Sequence, residues 1–211
     1  MKRIFLCLVF SLMLAGSLCA QDSASQPTAN QEIVQAPELK EGLHKEYYPT
    51  GELYSEGNYI AGQKQGLFKA YYKNGQLMAE RNYKDDQPDG KDKGYSPDGK
   101  LVFEGNFKDG EREGIAKYYH PDGKVKTEAY YKKDMLEGIT KQYDKDGKLV
   151  YEITYKQNKL DGATKQYSTA GKFLAEYTYK NNKREGPFKE YNEDGALKAS
   201  GKYKDGKVIQ K

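Results

Sequence analysis

Gly114–Glu137 reads GIAKYYHPDGKVKTEAYYKKDMLE, and its pattern recurs on both sides without a break in phase. It is one unit of a 24-residue repeat. A unit this short cannot bury an apolar face alone, so repetition at this period predicts an array of small supersecondary units that lean on their neighbours. Counting each unit from its first glycine as offset 0, the starts are Gly42, Gly66, Gly90, Gly114, Gly138, Gly162 and Gly186, seven units with no insertion. Offset 9 is again glycine, from Gly51 to Gly195, and offset 3 is always Lys. Offset 5 is always tyrosine (Tyr47, Tyr71, Tyr95, Tyr119, Tyr143, Tyr167, Tyr191) and offset 17 always aromatic, from Tyr59 to Tyr203. Offset 14 is Glu in the first six units, from Glu56 to Glu176, and Ser200 in the last.

Asp-Gly or Asn-Gly between aromatic runs, as in Pro121–Lys124 (PDGK), signals a hairpin turn, because glycine accepts the positive φ that the turn demands. Offset 20 supplies a second turn, with Gly62, Gly110 and Gly206 or the left-handed-tolerant Asp86, Asp134, Asn158 and Asn182. Two turns per unit leave two strands of roughly 6 to 8 residues each. The expected fold is all-β: an elongated array of antiparallel hairpins forming a single meandering, twisted sheet.

Two registers are open for the first turn. A two-residue loop places offset 3 across from offset 14, hence Lys117 across from Glu128. A three-residue loop, a type I turn closed by a glycine bulge, places Tyr119 across from Val125. Pro49, Pro97 and Pro121 at offset 7 favour the three-residue form, since Pro pre-sets φ there but would remove a ladder N–H in the other. That choice gathers offsets 5, 11, 13 and 17 on one face, with Lys of offset 3 laid over the rings, and puts offsets 14 and 16 on the other. For the faces to persist, the second loop must also be odd, or a bulge must compensate. Asp85–Lys93 (DDQPDGKDK) loses its apolar residues and contains Pro88, which predicts a kinked or frayed seam. Ser200, Val208 and Ile209 mark the last unit as modified.

The flanking segments set the compartment. Met1–Ala20 has Lys2 and Arg3, an apolar run Ile4–Leu14, then small residues, the three parts of a secretory signal peptide. Cleavage after Ala20 or after Ser17 fits. Leu precedes both Cys7 and Cys19, so the small residue that a lipidation signal needs is missing. Cleavage after Ala20 removes both cysteines, leaving no disulfide or thiol nucleophile. It lowers the net charge from +4 to +2 by removing Lys2 and Arg3, too near neutral for a nucleic-acid binder. Gln21–Lys40 is rich in Gln, Ser, Ala and Pro and reads as a flexible tether, followed by the repeat domain over 41–211. The expected location is outside the cytoplasm: periplasmic, outer-surface or secreted.

Catalysis needs convergent acid, base or nucleophile groups. The two histidines, His44 and His120, stand at unrelated offsets of different units without partners at ligand spacing, so neither a metal site nor a catalytic one is expected. The repeated glutamates could imitate a glycosidase pair, but a residue copied along an array is more simply structural. No cofactor motif is present; the glycines are turn glycines. The sharper candidate is a row of Tyr47, Tyr71, Tyr95, Tyr119, Tyr143, Tyr167 and Tyr191 with Lys117, Lys141 and Lys165. Equivalent residues of successive hairpins recur about every 9.6 Å, a spacing suited to an extended polymer. The competing reading is that these tyrosines simply cover the sheet.

KEYYPTGELYSEGNYIAGQKQG (Lys45–Gly66) and KGYSPDGKLVFEGNFKDGEREG (Lys93–Gly114) resemble the bacterial MORN-repeat-variant proteins, including the YwqK-like antitoxin group, and the resemblance runs through all seven units. It implies a binding scaffold whose partner is another protein. The absence of Trp departs from MORN repeats linked to phospholipid binding. An exported, non-enzymatic scaffold for protein–protein interaction at the cell envelope is therefore expected. The alternative is a binder of envelope polysaccharide or lipid head groups through the Tyr/Lys row.

Overall fold

The computed structural model describes residues 39–210. The signal segment and nearly all of the tether lie outside the described residues. Strand follows turn throughout: β1 (Gly42–Tyr47), β2 (Leu53–Ile60), β3 (Gln63–Tyr71), β4 (Leu77–Lys84), β5 (Gln87–Tyr95), β6 (Leu101–Lys108), β7 (Glu111–Arg112), β8 (Gly114–Tyr119), β9 (Val125–Lys132), β10 (Met135–Leu136), β11 (Gly138–Tyr143), β12 (Leu149–Lys156), β13 (Lys159–Tyr167), β14 (Phe173–Lys180), β15 (Lys183–Tyr191), β16 (Leu197–Lys204) and β17 (Lys207–Gln210). All belong to one antiparallel 17-stranded sheet in which the chain meanders from neighbour to neighbour. The two short strands β7 and β10 are the first halves of strands that break at Glu113 and Glu137; in β3, β5, β13 and β15 the equivalent strand is continuous over nine residues.

Both registers considered for the first turn occur, one after the other. His120 N–H donates to the Lys124 carbonyl and Gly123 N–H to the His120 carbonyl, which closes a three-residue loop with Gly123 at φ 86°. Tyr119 accordingly faces Val125. One step further the ladder slips, so that Tyr118 faces Thr127 and Lys117 faces Glu128. The residue left over, Lys126, is a bulge. The same slip recurs in every unit, at Tyr54 in the first.

The second turn is even rather than odd. Ile60 faces Gln63 across a two-residue loop, Ala61 and Gly62, both with positive φ, the geometry of a type I′ hairpin. Compensation comes from a larger bulge: between Glu56↔Lys69 and Asn58↔Gln65 one strand advances two residues and the other four. Two extra residues leave the alternation of faces unchanged, so every unit presents the same sides.

The bulge at offset 12 corrects the expected division of faces. Glu of offset 14 shares a face with Tyr of offset 5, shown by Tyr71 Oη donating to Glu56. Tyr of offset 17 lies on the opposite face, where Tyr59 meets Phe68 of offset 2. The extra residue moves everything after it to the other side. One face therefore holds offsets 1, 3, 5, 14 and 16, and is here called the ladder face. The other, the ring face, holds offsets 2, 4, 13, 15, 17 and 22. The core sits on the ring face: Ala116, Ala129, Tyr131, Ala175, Phe188, Asp92 and Thr140 are buried there beneath their neighbours, with no second layer over them among the described residues.

The seam at Asp85–Lys93 is not frayed. β5 is one of the unbroken nine-residue strands and pairs with β4 and β6 in the common register. Two substitutions explain it. In four other junctions the N–H at offset 22 donates to an Asp or Asn side chain at offset 20 of the next unit, as Leu136 to Asn158. Here Pro88 stands at the donor position and the next unit has Gly110, so the N–H and its acceptor are missing together. Asp92 in turn is buried against Arg81, which reaches it with two hydrogen bonds of 3.0 and 2.9 Å.

Candidate interaction faces

Because offset 14 pairs with offset 3 of its own unit and of the next, each glutamate lies between two lysines. The rungs run Lys45–Glu56–Lys69–Glu80–Lys93–Glu104–Lys117 and continue Glu128–Lys141–Glu152–Lys165–Glu176–Lys189–Ser200 without interruption. Alternating charge directly across strands stabilises the sheet.

Tyrosine hydroxyls tie the ladder together. Tyr71 donates to Glu56, Tyr95 to Glu80, Tyr119 to Glu104 and Tyr167 to Glu152, at 2.6 to 3.0 Å. Burial and the carboxylate acceptor push the Tyr71 and Tyr119 hydroxyls up to about 12, and raise Tyr95 and Tyr167 in the same direction. The Tyr71 hydrogen bond, with Lys45 nearby, holds the Glu56 carboxyl below its usual range. The structure thus brings the candidate row Tyr47 through Tyr191 and Lys117, Lys141 and Lys165 onto one face. Tyr47, in the first unit, is 59% exposed. Tyr167 and Tyr191 flank Phe173 at 5.7 and 5.5 Å. Lys165 approaches Glu152 at 3.8 Å.

The histidines have structural contacts. His44 packs edge-on against Tyr59 and accepts the Glu41 N–H, while His120 Nε2 lies 3.1 Å from the Tyr143 carbonyl.

The ring face differs from unit to unit. Offset 2 runs His44, Phe68, Asp92, Ala116, Thr140, Thr164 and Phe188, and offset 15 runs Gly57, Arg81, Gly105, Ala129, Ile153, Tyr177 and Gly201. His44, Tyr59, Phe68 and Tyr83 form a file of edge-to-face rings with centroids 5.1 to 5.4 Å apart. Tyr177, Phe188 and Tyr203 form a second file. Cations at offset 22 cover the rings: Lys64 over Phe68 and Tyr83, Arg112 over Tyr131, Arg184 over Tyr177 and Tyr203. Two open grooves result, one of about 350 Å³ bordered by Tyr54, Tyr59, Lys64, Phe68, Arg81 and Tyr83 and another of about 340 Å³ bordered by Tyr118, Tyr131, Leu136 and Tyr155. Offsets 2, 15 and 22 hold no one residue type throughout the array, so no motif marks them individually. Their signal was that variation itself, on the face opposite the repeated Lys and Glu.

A family model described as MORN repeat variant matches residues 40–61, 64–85, 88–109, 112–133, 136–157 and 184–211. None of the curated proteins matches the chain. Among solved structures, the one described as "Crystal Structure of TarM" is similar over 45% of this chain at 14% identity, with a TM-score of 0.31. The chain spans 20% of that protein's length.

Proposed function

The chain belongs to the MORN repeat variant family, and from that premise we propose that it is an exported, non-enzymatic scaffold that holds another protein on its ring face. One observation carries this reading: the two faces are used differently. Ladder-face charges repeat from unit to unit and face opposite charges across the strands, whereas the ring face varies from unit to unit and presents aromatic and cationic groups along open grooves. Aromatic side chains and arginine are the residue types that anchor protein interfaces. The ladder carboxylates each stand between two lysines, a repeated structural use rather than a convergent acid–base pair. The leader Met1–Ala20 supports export to the cell envelope, which sets this chain apart from an intracellular antitoxin role within the YwqK-like group.

The regular Tyr/Lys spacing of the ladder face favours a second reading, binding of polysaccharide or lipid head groups. Side-by-side binding of the purified protein to envelope proteins, polysaccharide and vesicles separates the two. Tyr54→Ser with Lys64→Ser lowers protein binding under the first reading. Strong polysaccharide binding that is lost when Tyr119, Tyr143 and Tyr167 become Ala would overturn it.

A further inference from the structure

The ladder face has a property that cross-strand pairing alone does not require. Ile115 and Ile139 are 51% and 53% exposed, and Tyr130, the cross-strand partner of Ile115, is 40% exposed. They form an apolar island beside Lys117, Glu128 and Lys141. Among the described residues Lys117, Glu128 and the adjoining Lys141 make neither an ion pair nor a side-chain hydrogen bond, as is also true of Lys69, Lys93, Glu176 and Lys189, whereas tyrosines hold Glu56, Glu80, Glu104 and Glu152. An exposed aliphatic and aromatic cluster rimmed by unsatisfied charge marks an interaction surface.

We infer that two copies of this chain meet face to face through the ladder, related by a two-fold axis that runs along the strands midway between β8 and β9. The charge order supplies the argument. Because Lys and Glu alternate strand by strand, such an axis sets each charge of one copy over the opposite charge of the other. Lys117 lies over the partner copy's Glu128, Glu104 over its Lys141, Lys93 over its Glu152 and Glu80 over its Lys165. The pattern is self-complementary, as an isologous contact requires. Any axis between a Lys rung and a Glu rung would match charges; the exposed Leu43 and Leu67 at the same offset face Asn58 and Asn82, whereas Ile115 faces the aromatic Tyr130, which selects this one. Ile115 and Tyr130 sit across from each other on β8 and β9, so the rotation stacks Ile115 on the other copy's Tyr130, twice. Twisted sheets diverge away from the axis, which concentrates contact on the units nearest the island. This surface is separate from the ring face, and the inference does not depend on what that face binds.

Charge reversal tests it. Sedimentation equilibrium of the purified protein shows a dimer that weakens with added salt. Lys117→Glu and Glu128→Lys each place like charges together twice per dimer and weaken association at least about tenfold. Mixing the two variants restores it, because the acid introduced at position 117 of one copy then meets the base introduced at position 128 of the other. At the second contact the unaltered Glu128 and Lys117 still meet. Ile115→Lys, at an exposed position outside the Lys–Glu rungs, gives the same loss if either reversal disturbs folding. A protein that stays monomeric at all concentrations, a dimer that survives the reversals, or a mixture that stays monomeric overturns the inference.

Discussion

The Tyr71 hydroxyl donates to the Glu56 carboxylate at 2.7 Å, joining one repeat to the next on the ladder face. Glu56 faces Lys45 in its own hairpin and Lys69 in the following one, so a single carboxylate is shared among three side chains of two units. Repeat arrays owe their stability to such neighbour terms. Tyr71→Phe removes this one and costs about 1 kcal/mol in urea unfolding. The pH dependence follows from its sign. Glu56 titrates below its unfolded value, so its contribution is present above about pH 4.3 and fades as pH falls through the lowered folded value. Stability of Tyr71→Phe therefore declines less steeply than that of the unaltered protein below about pH 4.3.

Tyrosine ionisation reads the other partner. Burial first, and acceptor or neighbouring hydroxyls second, push Tyr71, Tyr118, Tyr119 and Tyr177 up to about 12. A folded value above the unfolded one means stability intact below about pH 10 and lost as pH rises through about 12. Absorbance at the phenolate band is predicted to show a late-titrating subset, and unfolding to accompany its ionisation. A single transition near the ordinary tyrosine value contradicts the assignment.

Arg81 and Asp92 form an ion pair buried at its acid end, with the Asp92 side chain 7% exposed and the guanidinium over Phe107. Asp92→Ala strands a partly buried cation and costs about 2 kcal/mol, discounted from the fully buried case because Arg81 reaches solvent. Arg81→Leu with Asp92→Leu restores most of the loss, since the neighbouring positions on this face are apolar or small. Denaturant unfolding of both single variants and the pair gives the coupling directly.

Gly57 is set by contact rather than by turn geometry. A Cβ there would overlap the Phe68 ring, which packs over the backbone of β2. Gly57→Ala is predicted to destabilise by about 2 kcal/mol through overpacking, and adding Phe68→Leu to relieve part of it. Equal stability of the two Gly57→Ala proteins would show that the ring is free to move.

The repeat made the fold legible before any coordinates. Gly123, Pro121 and the Tyr119–Val125 pair are where the period and the turn chemistry place them. What escaped was the consequence of one unpaired residue. Lys126 and its equivalents bulge because the three-residue turn and the Lys–Glu rungs demand different registers, and no local residue type announces that compromise. The slip exchanged the faces, placing Glu beside the tyrosines of offset 5 and moving Tyr131 to the opposite side. The seam was misjudged for a related reason: Pro88 and Asp92 look disruptive alone and are harmless beside Gly110 and Arg81, partners at the distance of a neighbouring strand or unit. The invariant Lys, Tyr and Glu of offsets 3, 5 and 14 make the ladder, while the invariant aromatic of offset 17 lines the grooves together with the varied offsets 2 and 15.

Site-specific photo-crosslinking tests the division of labour between the faces most directly. A benzophenone side chain is placed at Tyr54, on the rim of a ring-face groove, or at Ile115, on the ladder face, in an expressing cell. The account predicts adducts with a different polypeptide from position 54, and adducts only with a second copy of this chain from position 115. Foreign adducts from position 115 with none from position 54 would contradict it.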